Sequence, residues 1–94
     1  MTFEEFTATL TLDHPPPDIS APLKALWYDG HGDWNAAHAT AQDIDDESGS
    51  LIHAYLHRKE GDLSNAAYWY RRARKTVEHG PLEEEWKRIV SALL

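Results

Sequence analysis

Ninety-four residues make room for one domain, and a chain of that size buries only about 60 to 65% of its unfolded surface, so its core must be efficient. Apolar residues at 41%, with four Trp and four Tyr among them, argue against disorder, and the absence of Cys excludes disulfides, thiolate zinc sites and cysteine nucleophiles. The net charge of −7 is unevenly placed: residues 1–50 carry ten acids against one Lys, and such a half repels phosphate backbones, so no nucleic-acid partner is expected. Residues 51–94 carry eight basic and six acidic groups. The start, Met1-Thr2-Phe3-Glu4-Glu5, lacks the basic and apolar regions of a signal peptide, and no apolar run approaches the roughly 18 residues of a membrane span. A cytoplasmic protein with no membrane partner is the expectation.

In chain order, Thr2 and Glu5 form a capping-box pattern that starts a short helix from Phe3 to about Leu12, although the alternation of Thr7, Thr9 and Thr11 also suits a strand. His14-Pro15-Pro16-Pro17 cannot continue a helix and separates this segment, residues 1–19, from the rest. Ser20 is the next N-cap, with Pro22 tolerated in the first turn of a helix that runs to about Gly30. From there the chain repeats itself. Residues 23–33 align without a gap on residues 52–62, Gly32 falling on Gly61 at an offset of 29. Leu23, Leu26 and Trp27 make the same stripe as Ile52, Tyr55 and Leu56, and Ala25 and Ala54 provide a small residue on the other side.

Each Gly-Asp pair ends one helix and caps the next, predicting second helices from Trp34 to about Asp45 and from Leu63 to about His79. Trp34, Ala37, Ala41 and Ile44 form the inward face of the first, and Ala66, Tyr70, Ala73 and Val77 that of the second. Residues 45–50 read as the loop between hairpins. Gly80-Pro81 opens a last helix striped by Leu82, Trp86, Ile89, Val90 and Leu93, with Glu83, Glu84 and Glu85 complementing its dipole. The expected fold is all-α, a single domain of hairpin 1 (20–46), hairpin 2 (50–79) and a capping helix (81–94). Trp27, Trp34 and Trp86 are expected in the core.

Ala54, Gly61, Asp62, Leu63, Ala66, Tyr70 and Ala73 have the spacing of a tetratricopeptide repeat, and Ala25, Gly32, Asp33, Trp34 and Ala37 match the same pattern. Residues 20–80 therefore resemble tetratricopeptide-repeat proteins, with Ala41 and Ile44 departing from the later aromatic and small positions. The period of 29 is shorter than that family's 34, which puts regular superhelical stacking in doubt. The whole string also resembles a small bacterial family of this architecture, which implies no activity. What the resemblance implies is a protein-interaction scaffold with a protein partner, self-association included, and no chemistry or cofactor of its own.

Two constellations stand out. His53 and His57, four apart on one helix, share a face with Glu60 and could hold a transition metal, with His38 as the ligand from elsewhere. The repeat alignment places both histidines against their own second helix, whereas the apolar centre at Leu51, Ile52, Tyr55 and Leu56 lies opposite and would leave them exposed. Gln42 and Asp45 share the face of His38. Tyr68-Trp69-Tyr70 is the second constellation: three adjacent aromatics cannot face one core, so with Tyr70 inward Tyr68 leans toward Arg72 and Lys75. Exposed aromatics beside arginine are typical of binding hot spots, making Tyr68, Trp69, Arg72 and Lys75 the expected partner surface. Ser48, Ser50 and Ser64 lack a nucleophile setting and the glycines form no phosphate loop, so no catalytic residues are assigned and an enzyme is not expected.

Overall fold

The computed structural model describes residues 1–94 and contains six α-helices and no strand: α1 (Phe3–Ala8), α2 (Ala21–Gly30), α3 (Trp34–Gln42), α4 (Glu47–Glu60), α5 (Leu63–Arg72) and α6 (Leu82–Leu93). The N-terminal ambiguity resolves as helix, because Thr2 and Glu5 form both bonds of the capping box, and a 3₁₀ turn over Thr9–Thr11 follows. Side-chain oxygens cap four further helices: Ser20 reaches Leu23, Asp33 reaches Ala36, Asp46 reaches Gly49 and Asp62 reaches Asn65. No helix is long and apolar enough to cross a membrane.

The helices pack in adjacent pairs, α2 on α3 and α4 on α5, joined by turns at Gly32 (φ 94°) and Gly61 (φ 91°). Both glycines take the left-handed conformation that a side chain resists, and Asp33 N and Asp62 N close the turns onto Tyr28 O and His57 O. α4 is the central element, touching α2, α3, α5 and α6. Six successive residues, Ile52 to His57, are consequently buried, so the two histidines are not on an exposed face as the apolar stripe alone suggests.

Indole N–H groups tie the pairs together. Trp27 donates to Thr9 Oγ1 at 3.1 Å, Trp34 to Leu56 O at 2.9 Å and Trp86 to Leu26 O at 3.1 Å. Trp27 is fully buried; Trp34 and Trp86 are half-buried and pack against the core. Between the first helices of the pairs, buried Asp29 accepts from Tyr55 Oη at 3.1 Å and pairs with Lys59 Nζ at 2.9 Å.

Two helices are shorter than expected. α5 stops at Arg72 instead of His79, because Arg74 adopts a left-handed φ of 60° and Lys75 N bonds back to Tyr70 O. The irregular segment that follows is held by Arg58, which donates to the carbonyls of Glu78 and Gly80, and Val77 is exposed instead of buried. α3 stops at Gln42 instead of Asp45, since Asp46 already caps α4 at Glu47; the expected 45–50 loop is mostly helix and Ile44 is half-buried. Glu85 turns inward instead of serving the α6 dipole, accepting from Tyr70 Oη at 2.5 Å beside Arg58.

Candidate metal centre

α3 and α5 stand on either side of α4 and leave a cleft of about 600 Å³ between them. His53 and His57 lie on its floor, one turn apart on α4, and His38 comes from the α3 wall, half-buried. The buried polar residues Ser50, His53 and His57 of α4 face the gap that the neighbouring helices leave open. One ligating nitrogen of each histidine lies within 4.8 Å of the others. A tetrahedral ion with metal–nitrogen bonds of about 2.0–2.1 Å needs nitrogens roughly 3.3 Å apart, so side-chain adjustments of about an ångström close the site.

The rings are held by aromatic packing. Trp34, four residues before His38 on α3, stacks on it at 5.0 Å, and Trp69 of α5 stacks on His53 at 4.1 Å. His38 meets His53 and His57 edge-on at 4.8 and 5.2 Å. Glu60 does not join the imidazoles as a ligand. It accepts a 2.6 Å hydrogen bond from His57 Nδ1–H, which leaves Nε2 as the accepting nitrogen of His57, with the Asn65 amide 3.4 Å from it as the contact an ion would displace. A carboxylate behind a histidine in this way fixes the ring and raises its basicity as a ligand.

The protonation chemistry suits coordination. Burial, followed by the neighbouring His38 and His57, lowers His53 to about 4, and burial with His57 lowers His38 as well. Both are neutral near pH 7, as a ligating imidazole must be. The Nδ1 of His53 is buried without a hydrogen-bond partner, an arrangement that costs about 1–3 kcal/mol unless something else satisfies it. Three imidazoles without a thiolate suit zinc, cobalt, nickel or copper. A neighbouring group, His57 with Glu60 and Asp62, is not a separate centre, since Glu60 is bonded to His57 and Asp62 caps α5.

The second constellation divides. Tyr68 is 43% exposed and bonded through its hydroxyl to Arg72, whose guanidinium lies 5.5 Å from the Trp69 ring; Trp69 and Arg72 form the α5 wall of the histidine cleft. Lys75 follows the left-handed turn at Arg74 and lines a different, smaller pocket with Glu85 and Arg88. The sequence marks Trp34 for the core and Trp69 for a partner surface, not as neighbours of the histidines, and it does not single out Asn65. The four-residue spacing of Trp34 and His38 was a signal for the first, whereas nothing local announces that Trp69 and Asn65 face histidines of another helix. Gln42 and Asp45 also line the cleft. Comparison with protein-family models, curated proteins and solved structures returned no match.

Proposed function

We propose that the protein binds one transition-metal ion, of the zinc or cobalt type, between its two helical hairpins through His38, His53 and His57. The observation that carries this reading is the convergence of three imidazoles from two helices, clamped by Trp34 and Trp69, with Glu60 behind His57. The scaffold is read as a pair of tetratricopeptide-like hairpins at the 29-residue offset, closed by α6 as a cap. The histidines are additions to that pattern, since the positions 29 residues before His53 and His57 are Lys24 and Tyr28. Calorimetric titration of metal-free protein with Zn²⁺ and Co²⁺, followed in parallel by tryptophan fluorescence, tests it. One ion per chain is expected, with His38→Ala and His53→Ala each weakening binding at least 100-fold and His79→Ala leaving it unchanged. Equal titrations for wild type and both cleft variants would overturn the reading.

A second reading is favoured by the exposed Tyr68 and its bond to Arg72: this outer face of α5, with Trp69, docks an acidic, partly apolar protein segment, a second copy of the chain included. Sedimentation of wild type and Tyr68→Ala/Arg72→Glu at low and high salt tests it. Salt-sensitive association lost in the variant is expected, and identical behaviour of the two folded proteins would remove this reading.

A further inference from the structure

The three imidazoles reach the cleft from its α3 wall and α4 floor, and the α5 wall adds no histidine or carboxylate. An ion held by three nitrogens keeps a position for an exogenous ligand. The groups on that side are donors. The Asn65 amide nitrogen lies 3.4 Å from His57 Nε2, and Arg72 makes one side-chain hydrogen bond, from its guanidinium to Tyr68 Oη at 3.1 Å, with the carboxylate of Asp45 acting on its charge. Its remaining donors form a fork suited to carboxylate or phosphate.

Three carboxylates also reach the cleft, and two are engaged. Asp46 accepts from Ser48 Oγ at 2.5 Å and from Gly49 N at 3.1 Å, while Glu47 pairs with Arg74 at 3.3 Å. Against two arginines, the three carboxylates leave the metal-free cleft net negative, and with Glu60 behind His57 a single divalent ion cancels that charge and places a local positive centre at the imidazoles. An anion is repelled before the ion arrives and attracted afterwards.

We infer that the loaded cleft takes a small oxyanion, a carboxylate or phosphate group, shared between the open position of the ion and the guanidinium of Arg72. This rests on the metal reading above. A volume of about 600 Å³ accommodates such a group with part of the molecule that bears it. Because the two ligands bind the same site, their coupling is reciprocal: the anion tightens the ion by the factor by which the ion tightens the anion.

The test uses the full chain loaded with Co²⁺, whose visible absorption responds to its coordination. Inorganic phosphate and acetate are titrated separately at constant ionic strength, distinguishing the two oxyanion classes, into wild type, Arg72→Gln and Arg74→Gln. A saturable spectral change with at least one anion is expected. Arg72→Gln should raise its midpoint at least tenfold while keeping Co²⁺ stoichiometry and the thermal melt, and Arg74→Gln should change it less. Metal-free protein should bind neither anion by calorimetry. Co²⁺ binding with no spectral response, or a midpoint indifferent to Arg72→Gln, overturns the anion inference and leaves the metal reading standing. Failure of Co²⁺ to bind removes both.

Discussion

The two hairpins share their breaks and differ in what their first helices bury. α2 packs Leu23, Ala25, Leu26 and Trp27 into the core, and Lys24 stays in solvent. α4 repeats that stripe with Ile52, Ala54, Tyr55 and Leu56, but at the position matching Lys24 it buries His53, and at that matching Tyr28 it buries His57. A helix covered on every side has no solvent into which to turn a polar residue, so burying two imidazoles there costs stability unless they are satisfied. Hairpin 1 buries one charge, Asp29, and satisfies it with Tyr55 and Lys59, whereas hairpin 2 buries two imidazoles at the place where a cleft opens.

The largest expected effect tests the packing half of that contrast. Trp27→Ala removes a fully buried side chain and its bond to Thr9 and should cost about 3–5 kcal/mol in denaturant unfolding. Trp86→Ala, at a half-buried position, should fall at the lower end of that range and still exceed 1 kcal/mol, the value below which α6 could not be called docked.

The polar half should show in pH dependence. A histidine held at about 4 binds no proton in the folded state between pH 4 and 6.5, where its unfolded counterpart does. Its contribution is fully present above 6.5 and lost as pH falls toward 4, amounting to at most about 3 kcal/mol. Glu85, pushed up by burial, contributes the opposite slope above its ordinary value. Comparison of wild type with His53→Gln in chelator-containing buffer cancels that term: the variant should lose less stability between pH 6.5 and 4.5, and parallel curves would show that His53 carries no polar burden.

Metal should then relieve the burden. Zn²⁺ at a hundred times its dissociation constant should stabilise wild type by about 2.7 kcal/mol, and by nothing measurable in His38→Ala/His53→Ala. Glu60→Gln, which keeps the fold and the three nitrogens, should weaken Zn²⁺ by about 10- to 100-fold in calorimetry. The smallest effect is expected at the end of α5, where Arg74 holds a conformation that glycine adopts without strain. Arg74→Gly should stabilise by up to about 1 kcal/mol in thermal melts, and a loss would show that its side-chain contact with Glu47 outweighs the backbone.

Much of the fold was legible because its signals are local. The capping residues Thr2, Ser20, Asp33 and Asp62, the left-handed Gly32 and Gly61, and the stripes of α2, α4 and α6 each act within one or two helical turns. The early ends of α3 and α5 were not legible. A left-handed arginine carries no mark in the sequence, and the carbonyls freed beyond it are taken up by Arg58, far away along the chain.

For the candidate site, the sequence by itself placed His53 and His57 one turn apart and marked His38 and Glu60 as their possible companions, because helical periodicity sets which side chains share a face. Only the tertiary structure decided that His38 meets them, that Glu60 stands behind His57, and that Trp69, Asn65 and Arg72 form the facing wall. Periodicity acts along one helix, whereas the distance between helices depends on how α3 and α5 pack across α4, and that follows from the summed shape of the core rather than from any short run of residues.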